Sequence, residues 1–412
     1  MRHTRINHRP FDFAIFALLS FGLILSPIAA SDRLQAQSVL SGDLLFTTGQ
    51  LNANGIPGSR NILARLDRRT GQAIAWYSDP SAVYLKAVSW SPQGDLLAFV
   101  RAEFDGKRYP AQLCLLNRSG ARQRCFTDTP VGYSSVYNDY LVTWSGDGKR
   151  LYFASGDDKT RRVIEAEVST GKTLRILYEY DLQDNELENP PVLAWTNDLS
   201  YLTLGAGDNT RVQQGLPVFM VDLKTQQRID LVHIRGASGS SLFVVCPYFS
   251  PQGMYLTAYN FDVPETPAIP QFLILDKQVN ILSIVKPSAP FNASPQGCPA
   301  WQKDENAFYF DVAQATEQAS TLSIVKYTLQ SRQFMWYFQS GALNDLAEAT
   351  VNSHLSLSPD EAFLAFVSPF DPGVKLGTQV TIISATGGLQ RYRLPFRFSS
   401  DPIWIPQNGT TF

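Results

Sequence analysis

VSWSPQGDLLAFV, residues 88–100, sets an aromatic residue, Trp90, ahead of a reversal-forming Ser91-Pro92-Gln93-Gly94, with a nearly unbroken apolar run from Leu96 to Val100 behind it. Pro and Gly at these places favour a tight turn, and the short apolar run after it reads as a strand. Relatives of the stretch begin at Leu141 (LVTWSGDGKRLYFAS), Val192 (VLAWTNDLSYLTLG), Cys246 (CPYFSPQGMYLTAY), Cys298 (CPAWQKDENAFYFDV), His354 (HLSLSPDEAFLAFVS) and Asp401 (DPIWIPQNG). The anchors before the turn are Trp90, Trp144, Trp195, Phe249, Trp301, Leu357 and Trp404, spaced by 54, 51, 54, 52, 56 and 47 residues. A loose period of this size is the mark of a repeat architecture.

Each repeat continues in the same way. After the second run comes a longer polar connection, then a third run ending in another short turn (QLCLLNRSG, VIEAEVSTG, FMVDLKT, FLILDKQ, SIVKYTLQS, TIISATGG), then a fourth run such as IAWYS, LRILYEY or FMWYF. Short strands rich in β-branched and aromatic residues, four to a unit, make a propeller blade. The one short helical candidate is ALNDLAEAT, residues 342–350. The expected fold is an all-β, seven-bladed β-propeller with four antiparallel strands per blade. The repeat that starts at Trp404 stops after its turn, and the missing pieces stand near the other end of the chain: Gly42-Asp43-Leu44-Leu45 echoes Gly94-Asp95-Leu96-Leu97, and NILARLDRRTG and AIAWYS supply third and fourth strands. One blade is therefore expected to form from both ends, closing the ring without a free edge.

At these residues the chain resembles the TolB-like β-propeller family, whose repeats run Pro-x-Trp-Ser-Pro-Asp-Gly into an apolar strand. Cys298-Pro299-Ala300-Trp301, Ser358-Pro359-Asp360 and Ser91-Pro92-Gln93-Gly94 carry the pattern best. The resemblance implies the propeller fold, an envelope-side location and, by analogy, a binding platform. TolB itself carries an α/β domain ahead of its propeller, whereas residues 31–41 here are expected to be a short linker.

Residues 1–30 differ from the rest. Arg2, Arg5 and Arg9 precede the apolar stretch Phe13 to Leu25, and Ser26-Pro27-Ile28-Ala29-Ala30 follows. That order is a secretory signal peptide with cleavage expected after Ala30, or else after Ala36, and an uncleaved anchor as the alternative. A periplasmic or secreted protein is expected, with residues 42–412 as the propeller and no membrane span in the mature chain. The whole chain carries 35 basic and 37 acidic residues; without Arg2, Arg5, Arg9 and Asp12 its formal charge is about −4. No electrostatic ground for nucleic-acid binding exists, and a monomer is expected.

The connections between first and second and between third and fourth strands are short, whereas those on the opposite side of the ring are long. Long loops on a rigid scaffold are where function collects. Three features near that side are candidates. Glu179, Asp181, Asp184, Glu186 and Glu188 fall in one connection; they read as a solvated charged loop, a patch for a basic partner, or oxygen ligands for Ca²⁺ lacking the Asp-x-Asp-x-Asp-Gly spacing. Cys246 and Cys298 stand three residues before their anchors in successive repeats, and His354 and Asp401 share that register. A disulfide between the two cysteines, free thiols, or a zinc-type arc all fit the pattern, the disulfide first in an oxidising compartment. Lys86 is a further candidate binding residue. Cys114 and Cys125 flank Asn117-Arg118-Ser119-Gly120 and are either a cross-strand disulfide or packed small residues.

No enzyme motif is present. The only histidines beyond residue 30 are His233 and His354, Gly236-Ala237-Ser238-Gly239 lacks the nucleophile-elbow spacing, and Gly171-Lys172-Thr173 lacks the upstream glycine of a phosphate loop. No cofactor or metal is implied. The chain reads as a non-enzymatic, exported scaffold that binds a protein or peptide through its long-loop face. The alternative is an envelope hydrolase or lyase acting on glycan or peptide, using residues such as His354, Asp401, Asp105, Lys107 and the Glu179–Glu188 loop.

Overall fold

The computed structural model of the chain describes residues 42–49, 60–67, 70–106, 110–126, 142–157, 159–182, 192–205, 218–231, 242–262, 270–285, 293–295, 299–315, 320–339, 355–369, 378–385, 391–393 and 400–406. They form seven antiparallel sheets arranged as a β-propeller. Blade 1 is Ser400–Trp404, Leu44–Thr48, Ile62–Leu66 and Ala73–Ser78, and blade 2 is Tyr84–Trp90, Leu96–Ala102, Ala111–Asn117 and Arg122–Cys125. Blade 3 is Val142–Trp144, Arg150–Gly156, Thr160–Glu167 and Thr173–Asp181, and blade 4 is Val192–Trp195, Tyr201–Gly205, Phe219–Asp222 and Arg228–Asp230. Blade 5 is Leu242–Phe249, Leu256–Asp262, Pro270–Leu275 and Ile281–Val285. Blade 6 splits its inner strand into Ala293–Pro295 and Ala300–Trp301 before Ala307–Ala315, Ser320–Thr328 and Gln333–Gln339. Blade 7 is Ser356–Leu357, Phe363–Pro369, Thr378–Ser384 and Arg391–Arg393. Among the described residues no helix is long and apolar enough to cross a membrane, and residues 342–350 lie outside them.

The ring closes as the repeats require. Ser400–Trp404 pairs antiparallel with Leu44–Thr48, Trp404 opposite Leu44 and Ile403 opposite Leu45. In blade 2 the anchor Trp90 faces Leu97, so Leu44 is the structural counterpart of Leu97 and the sequence echo of Gly42-Asp43 on Gly94-Asp95 is displaced by one residue. No turn links the two strands in blade 1, so nothing holds glycine at the spacing a turn demands.

The apolar runs are continuous because both faces of the inner strands are covered. In blade 2, Ala98, Val100 and Ala102 pack toward blade 3 with Leu151 and Phe153, while Leu97 and Phe99 pack toward blade 1 with Leu45 and Leu63. Other seams repeat this: blade 7 meets blade 1 through Ala365, Val380 and Phe46, and blades 4, 5 and 6 share a cluster containing Met220, Leu273 and Phe310. A strand buried on both faces gains about 25 cal/mol for each Å² of apolar surface it removes from water. The outer strands are shielded differently. In blades 1, 2, 3, 5 and 6 the pairing of third to fourth strand shifts register through a bulge, which twists the exposed edge away from further strand addition.

The anchor tryptophans pack in the seams, and three of them also bind across. Trp144 Nε1 donates to Ser89 Oγ at 2.9 Å, Trp195 Nε1 to Thr143 Oγ1 at 2.8 Å, and Trp404 Nε1 to the Ser356 carbonyl at 3.0 Å. Each acceptor sits one residue before the preceding blade's anchor. Before Trp404 that residue is Ile403, which offers no side-chain acceptor, and the buried Trp90 Nε1 has no hydrogen-bond partner.

Candidate binding face

Because each sheet is antiparallel, its first-to-second and third-to-fourth turns fall at one end of the ring and the remaining connections at the other. The tight turns are locked from within and to each other. Ser91 Oγ accepts the amides of Asp95 and Leu96 at 3.2 and 3.1 Å, and Ser145, Thr196, Ser250 and Ser358 hold their own turns in the same way. Between blades, Asn197 Nδ2 donates to the Pro251 carbonyl at 2.7 Å, the Gln252 amide to Glu305 Oε1 at 2.6 Å, and the Lys303 amide to Glu361 Oε1 at 2.6 Å.

Glu305 and Glu361 occupy the turn position that Gly94, Gly148 and Gly253 fill elsewhere, with φ of 57° and 58°. A side chain in that left-handed region costs on the order of 1–2 kcal/mol. The carboxylate's bond to the neighbouring turn amide offsets that cost, since a hydrogen bond to a charged group contributes about 1.5–3 kcal/mol.

The opposite face carries the long connections, and the described part of it centres on the seam between blades 1 and 2. Asp79, just after the outer strand of blade 1, is buried with Arg101, near the end of the second strand of blade 2. Asp79 Oδ1 accepts from the Ser81 amide at 3.1 Å and hydroxyl at 2.7 Å, closing an Asx-type turn. Its Oδ2 accepts from Arg101 Nε at 2.6 Å, from the Tyr77 hydroxyl at 3.2 Å and from Arg122 Nη1 at 3.5 Å. Arg101 Nη2 also reaches Ser81 Oγ at 2.6 Å and pairs with Glu103.

Burial raises the Asp79 carboxyl, but the hydrogen bonds from Arg101 and Ser81 and the Arg101 charge outweigh it and hold the group well below the usual carboxylate range. Burial, and then the Asp79 charge, push the Tyr77 phenol up. The Glu103 amide donates to the Pro110 carbonyl at 3.1 Å, so the network fixes the base of a connection that projects the exposed Phe104 and Asp105. Chemically this is a charge-balanced, saturated cluster suited to holding a loop.

The sequence candidates are spread rather than gathered. Glu179 lies at the rim, on the outer strand of blade 3, and is paired with Arg162, which also stands 3.6 Å from Asp157. Asp181 ends that strand opposite Thr160, while Asp184, Glu186 and Glu188 lie outside the described residues. Lys86 and Asp401 lie on the innermost strands of adjacent blades 2 and 1, Lys86 half-buried; the Asp401 side chain is outside the described set. His354, Lys107, His233, Cys298 and the side chain of Cys246 are also outside it. Cys114 and Cys125 are directly opposed across blade 2 and form a disulfide. Among the described residues no three His, Cys, Asp or Glu side chains are grouped to hold a metal. The Asp79–Arg101 network escaped sequence reading, since no other repeat carries its counterpart; Asp79-Pro80-Ser81 directly after an apolar strand was the available signal.

No protein-family model matches the chain, and no curated protein matches it. Solved structures show the fold. An oligogalacturonate lyase in complex with manganese is similar at 13% identity over 87% of this chain and 86% of that one, with a TM-score of 0.52. The periplasmic gluconolactonase PpgL of Pseudomonas aeruginosa is similar at 14% identity over 89% and 99%, with a TM-score of 0.51. TolB from Acinetobacter baumannii aligns at 12% identity over 86% and 84%, with a TM-score of 0.44.

Proposed function

We propose that this protein is an exported, non-enzymatic propeller that binds a protein or peptide partner across its long-loop face. The observation that carries the reading is the asymmetry of the ring. One face is spent on turn-to-turn bonds between blades, whereas the other bears the longer connections, one of them fixed at its base by Asp79 and Arg101 and presenting Phe104. Exposed aromatic residues on a rigid platform are favoured contact points. The basic-apolar-small order of residues 2–30 supports export, and N-terminal sequencing of the mature protein is expected to begin at Ser31. Mild cross-linking in the native cells followed by mass spectrometry tests the binding reading: adducts are expected on the long connections, and adducts confined to the tight turns would overturn it.

A second reading is a hydrolase or lyase acting on glycan or peptide from the channel mouth. It is supported by the lyase and lactonase among the similar propellers, and by Lys86 and Asp401 on adjacent innermost strands. Alanine at His354 and Asp401 separates the readings. Loss of a measured turnover with the fold intact establishes the enzyme; unchanged partner binding with no turnover in the unaltered protein establishes the scaffold.

A further inference from the structure

The geometry points to the Cys114–Cys125 hairpin as a redox-controlled latch on the closure of the ring. The disulfide joins directly opposed residues of the third and fourth strands of blade 2. The fourth strand, Arg122–Cys125, is only four residues long and carries a bulge between its pairings, so the covalent link supplements a weak ladder. The turn inside the disulfide-closed loop reaches both the end of the closing strand and the inner turn of its own blade. Arg118 Nη2 donates to the Pro406 carbonyl at 2.8 Å, and Arg118 Nη1 to the Gly94 carbonyl of blade 2 at 3.3 Å. Gly120, at φ 84°, approaches so closely that a Cβ there would lie 2.6 Å from the Trp76 carbonyl oxygen.

Pro406 stands two residues beyond the strand that completes blade 1, Ser400–Trp404, and that strand is joined to the N-terminal strands by pairing alone: the Ile405 N–H between them donates to the Asp43 carbonyl at 2.8 Å. The disulfide therefore limits the freedom of the turn whose arginine secures the end of the closing strand. A loop this short closed by a disulfide gains chiefly from the reduced freedom of its open state.

Opening the latch requires a dithiol reductant. Its thiolate attacks the sulfur of Cys125, the half-buried partner, and breaks the Cys125–Cys114 bond. Cys114 leaves as a thiolate and a mixed disulfide forms on Cys125; the reductant's second thiol then attacks its own sulfur in that bond and releases Cys125, so that two protein thiols and one oxidised cyclic disulfide result. With the link gone the hairpin frays, Arg118 loses its fixed aim, and the closing strand opens more often while the distant blades keep their stability.

Amide hydrogen exchange on the full chain, followed by mass spectrometry, tests this. Dithiothreitol is expected to speed exchange of the Ile405 amide and the Leu44–Thr48 segment about tenfold, leaving Tyr201–Gly205 of blade 4 unchanged. Cys114→Ser/Cys125→Ser without reductant is expected to reproduce the change, which separates it from any effect on Cys246 and Cys298. Arg118→Ala is expected to give the same acceleration, with reduction adding little further. Unchanged exchange at Ile405 on reduction, or an equal rise in every blade, overturns the latch; so does full additivity of Arg118→Ala and reduction.

Discussion

The seam between blades 1 and 2 and the seams joining blades 5, 6 and 7 solve the same packing problem by different means. At the first, a buried ionic cluster on one face, a disulfide beside the apolar core and an arginine on the other face secure the blade assembled from both ends of the chain. In the second, shared aromatic and aliphatic clusters do the packing, and Glu305 and Glu361 tie successive turns together. The disulfide and the buried ion pair stand beside the blade that is closed by pairing alone. At the other seams carboxylate-to-amide bonds between turns supplement apolar burial.

The largest effect that sharpens this contrast is expected from Asp79→Asn. Removing the charge leaves Arg101 buried with only the half-exposed Glu103 as an ionic partner, and breaking a buried pair in this way costs about 3–5 kcal/mol. Urea denaturation at neutral pH measures it. The pH dependence carries a sign. Asp79 titrates below its ordinary value in the folded protein, so its contribution is complete above the unfolded carboxyl value of about 4 and is lost as pH falls through the depressed folded value. The stability gap between the unaltered protein and Asp79→Asn is expected to be constant from pH 5 to 8 and to shrink in stronger acid; a gap that grows on acidification would contradict the assignment.

Smaller effects are expected on the other side of the comparison. Glu305→Ala keeps the left-handed strain and loses the bond to the Gln252 amide, a cost of about 2 kcal/mol. Glu305→Gly loses the bond but relieves the strain and is expected to cost about 1 kcal/mol less than the alanine variant. Equal losses would show that strain plays no part in this clasp. Thr143→Val leaves Trp195 Nε1 without its acceptor, and thermal unfolding is expected to register about 1–2 kcal/mol. The smallest change is a gain: Gln226 is exposed at φ 60° in a third-to-fourth turn where blades 1 to 3 use Gly71, Gly120 and Gly171, and Gln226→Gly is expected to stabilise by about 0.5–1 kcal/mol.

The legible parts of the molecule were those that repeat. Seven anchors, each before a turn and an apolar run, specify the blades, because a strand covered on both faces must be apolar throughout. The fragment at Leu44 and the one ending at Trp404 each lack what the other supplies, so closure was legible too, although the register of Leu44 slipped by one residue where no turn enforces it. Cys114 and Cys125 were readable as a pair because a short turn separates two predicted strands. Features that occur once were not readable. Asp79 and Arg101 are far apart in their repeats and meet only when two blades pack, and Glu305 resembles any acidic turn residue until its carboxylate is seen on the neighbouring blade. The candidate channel residues Lys86 and Asp401 were legible as members of inner strands, but their register carries no chemistry of its own.

The central claim, that partners meet the long-loop face, is tested most directly by a photo-activated cross-linking residue placed in the native cell at Phe104 on that face or at Met254 on the tight-turn face. Both positions are similarly exposed, 52% in each case. A discrete adduct is expected from position 104 and none from position 254; an adduct from 254 alone would contradict binding at the long-loop face.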